Sequence, residues 1–442
     1  MLEKQFKLTL LGTDVRTEIV AGITTFLTMA YIVIVNPVIL ANAGMDMDAV
    51  FVATCVAAAV GTLIMGLLAN YPIALAPGMG LNAYFAFVVV PSFNGSWQIA
   101  LGCVFLSGMV FLALSITPAR SWLINSIPKS LKMAIGAGIG LFLAFIGMQS
   151  AGIVVNNPAT LVGLGDFASA SVLLACLGLL IIAVLHNFKV KGAILIAILA
   201  ITVIAILLGI QDYNGILSPV PSIAPTFLQM DIAGALTAGA FTIIFTFLLV
   251  DILDTAGTLV AVAHSAKLTD EDGKLPRLGG ALLADSGATL IGSVFGTSTT
   301  TSFVESASGV QSGGRSGLTA VVVAILFLLA LFFSPLVKTI PAYATAPALI
   351  FVACLMARSI KDIDWDDVTE YVPAMVTMIA MPLTYSIATG IGLGFIAYFL
   401  LKLFTGKFSH INPAVMVISL LFFLKLLFEH SLMARDIIDA IF

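Results

Sequence analysis

Long apolar stretches interrupted by short polar breaks make up most of this chain. About fifteen apolar segments can be read from it, at 19–41, 49–69, 73–91, 98–117, 131–151, 171–186, 192–210, 234–262, 279–296, 300–314, 317–336, 342–357, 370–386, 388–405 and 412–428. Most approach the ~20 residues that a membrane-spanning helix needs. We therefore predict an all-α polytopic membrane protein with about fourteen transmembrane helices. The topology of residues 370–442 stays open, because Pro382 and Gly390 interrupt that region.

The composition supports this prediction. Hydrophobic residues make up 60% of the 442 residues and charged residues only 10%, whereas soluble domains carry roughly 25% charged residues. No basic patch marks a nucleic-acid surface, and the four cysteines lack metal-ligand spacing. We expect no cofactor, no metal, no enzyme activity and no nucleic-acid partner. Residues 1–18 show no apolar core before a cleavage site, so we expect the first apolar segment to act as its own insertion signal.

Basic residues in the short loops predict the orientation. Loops that contain lysine or arginine alternate along the chain with loops that contain neither. In most membrane proteins the short loops rich in these residues are cytoplasmic. The basic set comprises Lys4, Lys7, Arg16, Arg120, Lys129, Lys132, Lys189, Lys191, Lys267, Lys274 and Arg277. The intervening loops, such as 43–48, 156–166 and 211–231, contain neither residue. We therefore predict a multi-pass protein of the cytoplasmic (inner) membrane with a cytoplasmic N-terminus.

Two glycine-rich breaks occupy matching places in the two halves of the chain. Pro72–Asn82 interrupts the third apolar segment, and Gly296–Glu305 interrupts the third segment counted from 234–262. Paired broken spans of this kind are typical of transporters built from inverted repeats, with the substrate site at the repeat interface. Seven segments precede the polar loop at 211–232, and an odd number makes a second set of seven run inverted. We predict 7+7 helices, with short extended stretches in the broken third and tenth.

Four acids lie well inside apolar segments, namely Asp251, Asp254, Asp285 and Glu305. Asp251 and Asp254 share one helix face with Thr258, and no basic residue is their immediate neighbour. Because an ionised carboxylate at membrane depth costs about 2.5–3.5 kcal/mol on insertion scales, such acids are either hydrogen-bonded structural groups or functional ones. We interpret Glu305, Asp254 and Asp251 as proton-coupling groups and Asp285 as chiefly structural.

The two breaks also supply neutral polar groups for a ligand. The run from Thr297 to Ser302 offers hydroxyls and unwound backbone, from which we select Thr299, Thr300 and Ser302. Asn82 follows the first break, and its amide can both donate to and accept from a heteroaromatic ring edge. On the first helix Thr25, with Thr24 and Thr28, could line a polar path. The aromatic residues Tyr31, Phe85 and Phe87 are candidates for stacking on a planar ligand, as is Met29, although single aromatics in apolar helices more often pack in the core.

Several motifs resemble the azaguanine-resistance-like purine permeases, one branch of the nucleobase–cation symporter superfamily. The resemblance covers nearly the whole chain. It is carried by Thr24-Thr-Phe-Leu-Thr-Met-Ala-Tyr-Ile-Val-Ile-Val-Asn-Pro37, Ala76-Pro-Gly-Met-Gly-Leu-Asn82, Asp254-Thr-Ala-Gly-Thr-Leu259, Thr301-Ser-Phe-Val-Glu-Ser-Ala-Ser-Gly-Val310, Gly314-Arg-Ser-Gly-Leu-Thr-Ala320 and Pro341-Ala-Tyr-Ala-Thr-Ala-Pro-Ala348.

The resemblance implies a fold of seven plus seven helices divided into a core and a gate domain. Here the core would be 17–120 and 233–336, and the gate 121–232 and 337–442. It further implies import of adenine, guanine or hypoxanthine with protons, and it allows a homodimer formed through the gate domains. Asp254, Glu305 and Asn82 match the family's purine-binding positions. Some members replace the position that matches Asp251 by asparagine or an apolar residue, which implies that its charge is not essential.

Two alternatives remain open at the level of sequence. A carrier of the same fold for uracil, xanthine, an anion or another small polar solute is the first, although two acids without a base argue against anions. An intramembrane aspartyl protease is the second, since Asp254 and Asp285 could pair as two carboxylates that share a proton. Asp285, however, follows Leu283-Ala284 and lacks the Gly-x-Gly-Asp pattern of such proteases.

Overall fold

A computed structural model describes residues 2–117, 127–236, 240–266, 268, 277–408 and 411–429 of the chain. Arg120, Lys267 and Lys274, which contribute to the predicted orientation, lie outside the described residues. The described chain is mostly helical, with two pairs of short strands.

Ten helices and three strands cover the first half. They are α1 (Leu2–Phe6), α2 (Val15–Met29), α3 (Ile32–Ala41), α4 (Met47–Ile64), β1 (Leu75–Pro77), α5 (Met79–Tyr84), α6 (Val90–Ser92), α7 (Trp97–Ile116), α8 (Lys129–Ser150), β2 (Val154–Asn157), β3 (Leu161–Leu164), α9 (Ala170–Asn187) and α10 (Ala193–Leu207). A π-helical turn, Met65–Ala69, extends α4, and a second one, Phe85–Val89, joins α5 to α6.

Nine helices and one strand cover the second half. They are α11 (Ala240–Ser265), α12 (Leu278–Phe295), β4 (Thr300–Ser302), α13 (Ser306–Gln311), α14 (Gly317–Ala330), α15 (Ser334–Thr339), α16 (Ala342–Met356), α17 (Val368–Leu383), α18 (Ile387–Phe404) and α19 (Pro413–Glu429). The three helices α17 to α19 occupy the region whose topology the sequence left open.

Short polar side chains start many of these helices, because the first backbone N–H groups of a helix have no partner within it. Asp14 accepts a hydrogen bond from the Thr17 backbone N–H at the start of α2, and Asp46 accepts one from Ala49 at the start of α4. The equivalent caps of α7, α14, α17 and α18 are Ser96, Ser316, Asp367 and Ser386. Polar residues between apolar segments therefore mark where these six helices begin.

Within the described residues, nine helical stretches are long and apolar enough to cross a membrane. Four shorter apolar helices accompany them, at Met79–Ser92, Ala193–Leu207, Val368–Leu383 and Pro413–Leu424. Leucine, isoleucine and valine side chains point outward from many of them, for example Leu180 and Val203. An outward apolar surface of this kind suits a lipid environment, so the prediction of a multi-pass membrane protein is confirmed.

The two glycine-rich breaks form a pair of antiparallel strands, β1 and β4. Leu75 lies opposite Ser302, Ala76 opposite Thr301 and Pro77 opposite Thr300. Both strands are fully buried. Because lipid cannot satisfy an unwound backbone, each break needs a partner inside the protein, and here each break supplies it to the other. The predicted extended stretches are confirmed at these positions.

A second strand pair lies in a segment that was named above only as a loop without lysine or arginine. In and beside the segment 156–166, β2 and β3 form a hairpin, with Val154 opposite Leu164 and Asn157 opposite Leu161. Asn157 accepts hydrogen bonds from the Ala159 and Thr160 backbone N–H groups and so closes the turn. The sequence-based reading followed only helical periodicity, and a four-residue strand is too short to register in it.

The chain divides into two compact units. The first comprises residues 1–118 and 143–352, and the second comprises 119–142 and 353–442. The first unit contains the β1–β4 pair and all four intramembrane acids. The second unit contains a buried ammonium group: Lys402 on α18 is 1% exposed and lies 2.6 Å from a Glu370 carboxylate oxygen. The functional division into core and gate stays a prediction.

We predict that Lys402→Met destabilises the protein strongly, because Glu370 then loses its buried partner. Removing one partner of a buried ion pair costs about 3–5 kcal/mol. Lys407 is the matched control: its side chain is 40% exposed and pairs with Asp367 at 2.6 Å, so Lys407→Met should cost much less. Thermal unfolding of the purified variants measures both effects, and equal losses would contradict the prediction.

Candidate functional site

The segment from Gly296 to Glu305 runs through the interior of the first unit. Gly296 ends α12 with a φ of +97°, and a Cβ atom there would lie 2.2 Å from the Thr226 side chain. Only glycine meets both conditions. The side chains that follow, from Thr297 to Ser302, are all buried. A buried run of hydroxyls at a helix break has to find polar partners, and the first helices supply several of them.

Glu305 is held by the first helical stretch. The Tyr31 hydroxyl, at the turn between α2 and α3, donates to Glu305 Oε1 at 2.6 Å. Tyr31 itself is fully buried. The Thr28 hydroxyl also lies 3.5 Å from the Glu305 backbone oxygen. A phenol that donates to a carboxylate fixes the direction in which the carboxylate points, so one Glu305 oxygen is tied down.

Asn82 connects the other break to the same segment. Ser298 donates its hydroxyl to Asn82 Oδ1, and the Gly78 backbone N–H donates to Thr299 O at 3.0 Å. Both breaks therefore share side-chain and backbone contacts. The predicted residues Asn82, Thr299 and Glu305 belong to one connected structure.

Sequence reasoning missed two members of this structure and one contact of a third. Asn36 on α3 donates from Nδ2 to Thr54 at 2.7 Å and to Thr297 at 2.9 Å, which joins three elements. Asn36 and Ser298 were not selected, although Asn36 is a lone amide in an apolar helix and so carried a visible signal. Tyr31 was considered only for stacking on a ligand, but its hydroxyl bonds to Glu305.

Several predicted residues carry buried polar atoms without a hydrogen-bond partner among the described residues. These atoms are Asn82 Nδ2, Thr25 Oγ1, Thr299 Oγ1, Thr300 Oγ1 and Asp251 Oδ1. An unsatisfied buried donor or acceptor costs about 1–3 kcal/mol. Such atoms are uncommon in folded proteins, and their concentration around the two breaks marks this region as one that a polar ligand can complete.

The three aspartates lie between α11, α12 and β4. The Thr301 side chain lies next to Asp254. Asp285 accepts from the Thr255 hydroxyl at 2.7 Å and from the Ser302 hydroxyl at 3.4 Å. The predicted ligand group Ser302 is thus engaged with Asp285.

Asp251 and Asp285 form a reciprocal arrangement with two threonines. The Thr289 hydroxyl lies 3.2 Å from Asp251 Oδ2, so α11 offers an aspartate to a threonine of α12. In the other direction, α12 offers Asp285 to Thr255 of α11. Each helix carries its aspartate four residues before its threonine, and the crossed contacts require the two helices to run antiparallel. No basic residue takes part in an ion pair with these aspartates among the described side chains.

One threonine hydroxyl supports each strand from its outer side. The Thr62 hydroxyl donates to Leu75 O at 3.0 Å and accepts from Leu75 N at 2.9 Å. The Thr289 hydroxyl has the same two contacts with Thr300, both at 3.1 Å. Leu75 and Thr300 occupy strand positions whose backbone groups point away from the partner strand. In each half of the chain, a threonine hydroxyl therefore pairs with the backbone N–H and C=O groups that the partner strand cannot reach.

Other predicted residues take different positions. Thr25 packs against α13, where a Cβ atom on Gly309 would lie 2.1 Å from the Thr25 hydroxyl oxygen. Met29 and Phe85 are fully buried core residues. In the described part of the chain, no three His, Cys, Asp or Glu side chains converge as metal ligands do.

The profile of a permease family (Xan_ur_permease) matches residues 16–393. Among similar proteins, an adenine permease of Escherichia coli is 49% identical over 97% of this chain and 96% of its own length. A guanine/hypoxanthine permease of Bacillus subtilis is 49% identical over 95% of this chain and 98% of its own length. A putative permease of Methanocaldococcus jannaschii is 53% identical over 97% and 98%.

Two solved structures share the fold at low identity. The transmembrane domain of a cyanobacterial bicarbonate transporter, BicA, superposes with a TM-score of 0.64 at 15% identity, covering 84% of this chain and 96% of that one. The anion-transporter relative SLC26A9 gives 0.64 at 10% identity, covering 91% and 68%. At these identities the likeness concerns the fold alone.

We predict that Tyr31→Phe and Glu305→Gln interact energetically. Each change removes or weakens the bond between the phenol and the carboxylate, so the double variant should lose less stability than the two single losses together. A coupling of about 1–3 kcal/mol is expected for a hydrogen bond to a charged group. Thermal or denaturant unfolding of the four proteins without ligand gives the coupling, and additive losses would contradict the assigned bond.

Proposed function

The chain belongs to this permease family, and on that premise we propose that it imports purine nucleobases together with protons. Its relatives include an adenine permease and a guanine/hypoxanthine permease, both 49% identical over nearly the full chain. Transport of purine nucleobases across a membrane is therefore its function. The residues that bind the purine, the coupling to protons and the arrangement of repeats are our proposals.

The buried polar atoms at the two breaks are the observation that supports the binding site best. A purine presents ring N–H or amino donors on its edge beside ring nitrogen acceptors. Asn82 Nδ2 is a free donor among the described residues, and the Glu305 carboxylate has a second oxygen beyond the one that Tyr31 occupies. A donor and an acceptor of this kind can pair with adjacent atoms of one purine edge. Asp254, Thr25, Thr299, Thr300 and Ser302 complete the proposed site.

Proton coupling is supported by the acids that lack basic partners. Asp251 is fully buried, and the ion pairs of the described side chains involve neither Asp254 nor Glu305. Buried carboxylates without a cation are favoured in the protonated form, and hydrogen bonds to the charged form oppose this. We assign proton binding to Glu305, Asp254 and Asp251. The inward proton gradient would then protonate these acids from the outside and drive uptake.

Two inverted repeats of seven helices are supported by the matching strand contacts. The pair Thr62 and Leu75 in the first half corresponds to Thr289 and Thr300 in the second. Seven apolar helical stretches precede the loop after α10, and the antiparallel pairing of β1 with β4 suits repeats related by an axis in the membrane plane. We propose a core domain that carries both strands and moves against a gate domain in alternating access.

The orientation proposed from loop charges places the N-terminus in the cytoplasm and the protein in the inner membrane. Import then requires the site to open first toward the outside. A homodimer through the gate domain remains part of this proposal on the strength of the family resemblance.

Uptake of radiolabelled adenine, guanine, hypoxanthine, xanthine and uracil into transporter-deficient cells tests the proposal. We expect saturable purine uptake that collapses when a protonophore removes the gradient. Uptake that persists with the protonophore would contradict proton coupling. Preference for uracil would contradict the assigned substrate class.

We predict that Glu305→Gln abolishes uptake, because the amide cannot carry the proton and replaces one acceptor by a donor. The variant keeps the shape of the side chain, so membrane expression should match the wild type. Asp212→Asn, the same chemical change at an exposed loop position, is the control and should transport normally. Near-normal uptake by Glu305→Gln would contradict the role of Glu305.

A further inference from the structure

The Thr289 hydroxyl lies between the Asp251 carboxyl group and the backbone of strand β4. Its hydroxyl oxygen is 3.2 Å from Asp251 Oδ2, 3.1 Å from the Thr300 carbonyl oxygen and 3.1 Å from the Thr300 backbone nitrogen. A hydroxyl has one proton to donate and two lone pairs with which to accept. Thr289 therefore cannot donate to Asp251 and to the Thr300 carbonyl at the same time.

We propose that Thr289 is a positioning residue that transmits the protonation state of Asp251 to strand β4. When Asp251 is protonated, its O–H donates to Thr289, and the Thr289 hydroxyl donates to the Thr300 carbonyl. When Asp251 is ionised, Thr289 donates to the carboxylate instead, and the Thr300 carbonyl loses that partner. The Thr300 backbone N–H donates to Thr289 in both states. The proton balance is complete in each state, since one proton is added at Asp251 and none moves elsewhere.

In the β1–β4 pair, the backbone groups of Thr300 have no partner on strand β1 and so depend on Thr289. Hydrogen-bonded and non-hydrogen-bonded pairs alternate along an antiparallel ladder. Thr299 is hydrogen-bonded to Gly78 and Phe303 to Ala74, so the N–H and C=O groups of Thr300 point away from β1. Pro77, opposite Thr300, has no N–H to offer. Thr289 is thus the partner on which the Thr300 carbonyl depends, and Thr299 and Thr300 belong to the proposed purine site.

Asp251 is better suited than Asp285 to gain and lose the proton. Asp285 accepts hydroxyl hydrogen bonds on both oxygens, from Thr255 and Ser302, and such bonds stabilise the charged form. Within the described part of the chain, the Asp251 side chain has one hydrogen bond, with Thr289, and its Oδ1 atom is buried without a partner.

Other titratable groups surround α11. Asp254 lies on the same helix, Asp285 on α12 and Glu305 directly before α13. Cys103 on α7 and Tyr84 on α5 belong to the remaining elements packed against α11.

Thr62 provides a matched control within the same protein. Its hydroxyl makes the same two contacts with Leu75 that Thr289 makes with Thr300, but no carboxylate hydrogen-bonds to Thr62 among the described residues. Strand β1 should therefore keep its threonine contact at every pH, whereas β4 should respond to pH.

Amide hydrogen exchange of the full-length purified protein without purine tests the switch. Exchange of the peptide that contains β4 is compared at an acidic and an alkaline pH after correction for the intrinsic exchange rate. In the wild type, we expect β4 to exchange about tenfold more slowly at the acidic pH, the size that one ordinary hydrogen bond gives. Thr289→Ser should preserve this response because it keeps the hydroxyl.

Two variants should fix opposite states. Asp251→Asn carries a permanent donor toward Thr289, so β4 should exchange slowly at both pH values. Thr289→Val removes the hydroxyl, so β4 should exchange rapidly at both. Thr62→Val should accelerate exchange in β1 and leave the pH response of β4 intact. A pH response of β4 that persists in Thr289→Val, or that is missing from the wild type, would overturn the proposal.

The role of this switch in transport rests on the proposed proton coupling, but the exchange experiment uses no purine and no gradient. A protein that passes it and takes up no purine would refute the proposed function and leave the switch standing. A protein that takes up purines with protons and fails it would refute the switch alone.

Discussion

Every backbone polar group inside a membrane protein must find a partner within the protein, and this constraint shapes the interior of the first unit. Two helices are broken, at Pro72–Asn82 and Gly296–Glu305, and the breaks expose backbone N–H and C=O groups. Pairing β1 with β4 satisfies the groups that face each other. The threonines Thr62 and Thr289 satisfy those that face outward. The two hydroxyls thus give the broken backbone partners that lipid cannot supply.

The buried carboxylates also need partners, and the two units supply them in different ways. In the second unit, a buried lysine neutralises Glu370, which gives a fixed ion pair. In the first unit, Asp251, Asp285 and Glu305 receive hydroxyl groups from threonine, serine and tyrosine. A hydroxyl supports a carboxylate without neutralising it. Under the proposed proton coupling, acids with hydroxyl partners are the ones that can bind and release a proton, whereas the Lys402–Glu370 pair suits a structural support.

Much of this architecture was predictable from the sequence. Apolar segments of the right length predicted the membrane helices. The breaks at Pro72–Asn82 and Gly296–Glu305 were also predictable, because glycine, proline and hydroxyl residues stand out among aliphatic ones. The isolation of Glu305 and Asp254 in apolar surroundings likewise marked them as candidates. Composition and local spacing carry signals of this kind.

Contacts between distant parts of the chain were not predictable in the same way. Tyr31 and Glu305 are 274 residues apart, and nothing in either neighbourhood identifies the other. Asn36 looks like one amide in an apolar helix until Thr297 is placed beside it. That the Thr289 hydroxyl contacts both Asp251 and the Thr300 backbone follows from interatomic distances in the folded protein, which the sequence does not contain. Short strands such as β2 and β3 also escape a search for helical periodicity.

The central claim is that purines bind where the two breaks meet. A cryo-electron-microscopy structure of the protein with adenine or guanine bound tests it directly. The account predicts density for the purine with its edge against Asn82 Nδ2 and the Glu305 carboxylate, beside β4. Well-defined purine density elsewhere, with Asn82 and Glu305 making no contact to it, would contradict the account.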